Sequence, residues 1–213
     1  MTRPPNLKSV LELLDIHSDS FRKVVAFARE TGHPVPVDTR AWSQIVVSVL
    51  TGIKGLERAK GADLSDGSDV KGAITWEAID TPRFNGVIKA GTKSFKSDRI
   101  ESLDDMPYLF LVLWDTDPNT NSGRCRIWCV RPREDKLFRE MCARWYALRS
   151  RGQTSNNFQL HPPRNLDSNV IRNTLGVFEY PLLFAARIGK EERYEIISYN
   201  PQVLTTGLVS IPG

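Results

Sequence analysis

Lys60-Gly-Ala-Asp63-Leu-Ser-Asp66-Gly-Ser-Asp69-Val-Lys71-Gly-Ala-Ile-Thr-Trp-Glu77 is the stretch whose reading decides the rest of the chain. It sets Asp63, Asp66, Asp69 and Lys71 around a Gly-bearing turn and runs on into a strand-like segment. Asp69 and Lys71 lie two apart, so on a strand both project to one face. Hydrolysing a phosphodiester needs an activated water, neutralisation of charge at phosphorus and a stabilised leaving alkoxide. Magnesium can serve all three, and it prefers hard carboxylate oxygens. The pattern therefore points to magnesium-dependent phosphodiesterase chemistry. Asp69 holds the metal, Lys71 stands by the water and the phosphate, and a second acid is needed on a neighbouring segment.

Two residues compete for that second place. A two-residue turn at Asp66-Gly67 would pair Asp63 with Val70 and turn its carboxyl away. A three-residue loop, Asp66 to Ser68, would pair Asp63 with Lys71 and align all three groups. Asp66 is the other candidate ligand. Upstream, Asp38 reads as the N-cap of a helix reaching about Lys60, with an apolar stripe through Trp42, Ile45, Val46, Val49, Leu50 and Ile53. Glu57, four residues beyond Ile53, continues that stripe inward, where a carboxylate needs a cationic or protonated partner. The alternative is a helix that frays after Gly52 and Gly55 and leaves Glu57 exposed. A second acid-x-Lys triplet, Glu134-Asp135-Lys136, begins a helix and lacks an upstream Gly-x-Asp, so it is set aside.

Outward from the acidic stretch, Val70 to Ile79 reads as a strand with Val70, Ile74 and Trp76 on one face. Phe84 to Ala90 reads as another. The almost wholly apolar run Tyr108 to Asp115 has the composition of a central strand covered on both sides. Arg124 to Val130 is its expected hairpin partner, across the loop 117–123. Arg133 to Arg151 is a basic amphipathic helix. A further helix is expected from about Ser168, then strands around Phe178 to Ile188 and Tyr194 to Ser198. Toward the N-terminus, Leu7 to Arg29 forms one or two helices. His17 is placed at a helix end and His33 in a loop. The expected architecture is α/β, a mixed central sheet flanked by helices, in one domain spanning residues 1–213.

The formal charge of +4 is a weak sign of a polyanionic partner, but its distribution is sharper. Between Gly123 and Arg164 ten basic residues, nine of them arginine, face only Glu134, Asp135 and Glu140. Arginine grips phosphates and guanine edges in bidentate fashion, while Asn and Gln suit adenine. Asn156, Asn157, Gln159, His161 and Arg164 are candidate base contacts. Arg149 and Arg151, with Arg83, Asn85, Lys89 and Lys93 after the acidic strand, are candidates for tracking the backbone. No apolar run approaches a membrane span, and the N-terminus lacks a signal-peptide pattern. The three cysteines, odd in number and without Cys-x-x-Cys spacing, read as reduced thiols of a cytoplasmic protein.

Glu57, then Gly61-Ala62-Asp63, then Asp69-Val70-Lys71 resembles the PD-(D/E)xK nuclease superfamily: a helix carboxylate, a strand acid, and D-x-K on the next strand. The proline that often precedes the first acid is replaced by Ala62. With Asn157-Phe-Gln-Leu-His-Pro-Pro-Arg164, the chain is similar to type II restriction endonucleases of the MamI-like group. The resemblance implies a restriction-endonuclease-like core and magnesium held by Asp63 and Asp69. It also implies that Lys71 positions the nucleophile and that Glu57 supports the site. It implies double-stranded DNA as the partner, and a small site-specific enzyme of this kind is expected to act as a homodimer on a twofold site.

Overall fold

The computed structural model describes residues 4–31, 38–56, 62–75, 82–88, 100–117, 122–165 and 167–206. In chain order its elements are α1 (Leu7–Thr31), α2 (Arg40–Thr51), β1 (Asp69–Ile74), a 3-10 turn (Ile100–Leu103), β2 (Leu109–Asp117), β3 (Ser122–Val130) and α3 (Lys136–Ser150). They are followed by β4 (Val170–Asn173), β5 (Gly176–Glu179), β6 (Leu182–Ile188), β7 (Tyr194–Tyr199) and α4 (Val203–Thr206).

The apolar run read as a central strand is β2. Leu109, Leu111 and Leu113 enter one core, and Phe110, Val112 and Trp114 the other. All six are fully buried, as a period of two demands of a strand covered on both sides. Around it the main sheet has the order β1-β2-β3-β6-β7. β1 runs parallel to β2 at the sheet edge, and the remaining pairs are antiparallel. This is a mixed sheet flanked by helices, an α/β fold consistent with a restriction-endonuclease-like core. Among the described residues no helix is long and apolar enough to cross a membrane.

One face of the sheet is covered by α1 and α2. α1 is a single helix, buried along Val10, Leu14, His17, Phe21 and Val25, a stripe at spacings of three and four. His17 is therefore a mid-helix core residue rather than a helix end. Its ring lies 4.3 Å from that of Trp114 and 5.1 Å from that of Trp42. Burial pulls its pKa down to about 4, so it is neutral at ordinary pH. α2 presses close on β1, because Gly72 leaves room for Ser43. A Cβ at Gly72 would stand 2.6 Å from Ser43 Oγ. That hydroxyl donates to Thr39 O (2.7 Å) and accepts from Trp114 Nε1 (2.9 Å), tying helix to sheet.

The other face carries α3, the 3-10 turn and a small second sheet. Asp135 caps α3 by accepting from Phe138 N (3.0 Å). The helix expected from Ser168 is instead the antiparallel hairpin β4–β5, closed by Thr174-Leu175. Ile171 and Phe178 point into the core as a cross-strand pair, a period of two that overrides the helical reading. The segment expected as a strand from Phe84 to Ala90 makes a single bridge, Phe84 to Leu160, within the described residues 82–88. All three cysteines are free and buried, and burial pushes each thiol up.

Candidate active site

The acidic stretch is built differently from the expected hairpin. β1 pairs with β2, not with the residues before it. Asp63 to Ser65 pair instead with Lys54 to Leu56: Leu56 N donates to Asp63 O (2.9 Å) and Ser65 N to Lys54 O (2.8 Å). This pairing follows directly on the end of α2. Gly52, at φ 74°, closes the helix in the left-handed conformation that favours glycine, eight residues short of Lys60. Glu57 lies outside the described residues, and the helical stripe that was to carry it inward ends at Thr51.

Residues 63–68 form a tight turn closed on itself. Asp63 N and Leu64 N both donate to Ser68 O, at 3.1 and 3.0 Å. Asp66 accepts from Ser68 N (2.9 Å) and Ser68 Oγ (3.0 Å), so its carboxylate is consumed in holding the turn. Gly67, at φ 97°, packs against Asp105 O so tightly that no Cβ fits. Leu64 plugs the turn into the core.

This turn delivers Asp63 to Asp69. The N–H of Val70 faces the edge of the sheet, where among the described residues no strand pairs with it. It is shared by Asp63 Oδ2 (3.1 Å) and Asp69 Oδ1 (3.0 Å). The two carboxyls are also hydrogen-bonded to each other. Lys71 Nζ sits 2.6 Å from Asp69 Oδ2. Asp69 and Lys71 share a face of β1, as the sequence required, and register with Leu109 and Leu111 on β2.

The electrostatics follow from burial. Asp69 is 7 % exposed, and desolvation pushes its pKa up to about 6 against the pull of the Lys71 ammonium, with the Asp63 hydrogen bond adding to the rise. Burial would raise Asp63 as well. Hydrogen bonds from Asp69, the Val70 amide and Gln44, together with Lys71, overcome it and leave Asp63 below its ordinary value. The pair thus holds one proton in mildly acidic solution, on Asp69. Above that range two carboxylates face one ammonium, a net negative charge that a cation would neutralise. Among the described residues no three of His, Cys, Asp and Glu gather in one place, so the donors here are two carboxylates. That set fits magnesium, which binds through one or two carboxylates and keeps its waters, better than it fits zinc. Gln44, which reaches Asp63 from α2, was missed; a single polar residue between Ser43 and Ile45 carries no mark in the sequence.

The residues expected to contact DNA fall into three groups. Asn85, Asn157 and Gln159 come together: Asn85 Oδ1 accepts from Asn157 Nδ2 (3.2 Å) and Gln159 Nε2 (3.0 Å). Arg149 donates to Asn156 Oδ1 (3.2 Å) and stands over the Trp145 ring. Arg151 and Arg164 are exposed, Arg83 and His161 half-buried, and Lys89 and Lys93 lie outside the described residues. Not every arginine of the basic stretch is available. Arg126 is 1 % exposed, paired with Asp115 (3.0 Å) and donating to the carbonyls of Pro163, Asn165 and Ser168. It is a structural clamp on the loop leading into β4.

The profile of the MamI restriction endonuclease family matches residues 26–193. A type II restriction enzyme, MamI of Microbacterium ammoniaphilum, is 34% identical over 179 residues, which cover 78% of this chain and 58% of that relative. The chain thus spans less than two thirds of the length of the relative it matches. No solved structure matches the chain.

Proposed function

The chain belongs to the MamI restriction endonuclease family, and from that premise we propose that it is a magnesium-dependent endonuclease cutting double-stranded DNA at a specific site. One observation carries the chemistry: Asp63, Asp69 and Lys71 converge at an open sheet edge, with Lys71 Nζ 2.6 Å from Asp69 Oδ2 and both carboxyls on the Val70 N–H.

Asp63 and Asp69 are the residues that would hold magnesium. When bound it supplies charge neutralisation at the phosphate and a more acidic water. Lys71 does the rest from its ammonium. Its N–H groups hold a non-bridging phosphate oxygen and an attacking water, keeping the water in line with the departing alkoxide, and its charge offsets what develops in the transition state. The turn capped by Asp66 keeps Asp63 in position. The edge of the sheet suits this task, since among the described residues no further strand covers β1 on its outer side. Cutting both strands of a twofold site calls for two copies of the chain.

Incubating the protein with unmethylated phage-length DNA, with magnesium and with chelator, tests the reading directly. Discrete fragments that require magnesium are expected. A magnesium-dependent smear would remove the site specificity and leave a general nuclease. Intact DNA across several substrates and divalent metals would remove the nuclease reading altogether.

A further inference from the structure

The small second sheet is wider than its hairpin. Phe84 N donates to Leu160 O (2.8 Å) and Leu160 N to Phe84 O (3.1 Å), while His161 and Arg172 exchange both backbone bonds at 2.7 and 2.9 Å. Segments 84–87 and 157–161 therefore lie side by side next to β4 and β5. The row alternates: Phe84, Phe158 and Leu160 are buried beneath it, and Asn85, Gln159 and Arg172 look outward.

On that outward face the amides are already arranged. Asn85 Oδ1 takes one N–H from Gln159 and one from Asn157, and Asn157 Oδ1 takes the N–H of Gly86 (2.8 Å). Asn157 is a strut, with its acceptor engaged. Among the described residues Gln159 keeps one amide N–H and its Oε1, a donor and an acceptor on one planar group. That pair is the complement of adenine N7 and N6–H in the major groove, which is wide enough to admit a two-stranded ribbon. Arg172, in the adjoining strand and on the same face, adds the positive charge that a phosphate-lined groove demands.

Building on the endonuclease reading, we propose that the outward face of this ribbon reads DNA in the major groove. Gln159 contacts an adenine there, and Asn85 and Asn157 are positioning residues that fix its amide. A side chain held before binding loses less freedom on contact, so the network sharpens selection as well as orientation.

The test uses a duplex library in which each base pair of the site cut by the wild type is varied in turn. Gln159→Ala should lower kcat/KM at the wild-type site about 10- to 100-fold and flatten the preference at one adenine. The salt dependence should stay unchanged, because no charge is lost. Gln159→Glu keeps the size but has no N–H for Asn85 Oδ1 or for adenine N7, so it too should lose the preference at that adenine, and it decides the matter if Gln159→Ala does not fold. Asn85→Ala and Asn157→Ala should weaken discrimination at that same position and no other. If wild type cuts a defined site and the Gln159 variants keep its full profile, or lose activity equally at every base, the inference is overturned while the nuclease reading stands. If wild type cuts no DNA, both fall together.

Discussion

At the scale of the residue, the two aspartates that compete for the second ligand position can be separated by experiment. Asp63 shares the Val70 N–H with Asp69, whereas Asp66 is bonded to Ser68. Asp63→Asn should lower the cleavage rate by about 10²- to 10⁴-fold, the range for loss of a group acting in the transition state. Its thermal stability should change little. Asp66→Asn should do the reverse: near-normal cleavage, and a loss of about 1–2 kcal/mol of stability from the weakened turn. Cleavage rates and melting temperatures of both variants check this, and equal loss of cleavage in the two would defeat the assignment. Lys71→Met belongs beside Asp63→Asn, with cutting lost and DNA binding in chelator retained. Asp69 and Lys71 were legible in the sequence, because two residues apart on any strand means one face whatever the strand pairs with. The choice between Asp63 and Asp66 was not. It depends on where a turn closes, and that was set by the Asp66 side chain and the left-handed Gly67.

At the scale of the element, strands were legible and junctions were not. β2 and β3 announce themselves by composition and alternation, and their pairing by the polar loop between them. α2 reads longer than it is, because its apolar spacing runs on through Ile53 while Gly52 ends it. The Ser168 region reads as helix because its strands are four residues each, too short for a period of two to declare itself. The join between α2 and β1 makes a sharper prediction. In Gly72→Ala the new methyl would stand 2.6 Å from Ser43 Oγ and 3.0 Å from Thr39 Oγ1. Ser43 cannot swing aside without leaving the buried Trp114 Nε1 unpaired. The substitution should cost about 1–3 kcal/mol, read as a lower urea midpoint. Ser43→Ala alone should also destabilise, since it orphans the same indole. Combined, the two should cost less than their sum, since removing the hydroxyl makes room for the methyl. Strict additivity would show that the contact is not the cause. Because β1 also carries Asp69 and Lys71, Gly72→Ala should lower activity as well, by displacing the strand they stand on.

At the scale of the whole molecule, two buried titrating groups lie in different parts of the fold and pull stability in opposite directions over one pH range. His17, among Phe21, Trp42 and Trp114, has its pKa lowered to about 4 from 6.5. Between those values the unfolded chain binds more protons at this position than the folded one, so stability rises with pH and is lost as pH falls toward 4. Asp69, raised from 3.8 to about 6, does the opposite in the metal-free protein. The folded state holds the extra proton, so its contribution is full below 3.8 and is lost as pH rises through 6. Each shift corresponds to roughly 3 kcal/mol at most, so in chelator the two slopes nearly cancel between pH 4 and 6. Asp69→Asn should unmask the His17 slope, with unfolding midpoints that climb from pH 4 to 6.5. His17→Leu should unmask the Asp69 slope, with midpoints that fall over the same range. If Asp69 holds magnesium as proposed, the cation competes there with the shared proton. It should therefore stabilise wild type more at pH 8 than at pH 5, and should lose most of its effect in Asp69→Asn. Urea unfolding of the three proteins across this range, with and without magnesium, measures all of these slopes together. A magnesium effect that persists undiminished in Asp69→Asn would place the cation elsewhere, and parallel pH profiles for all three proteins would remove the opposed pair.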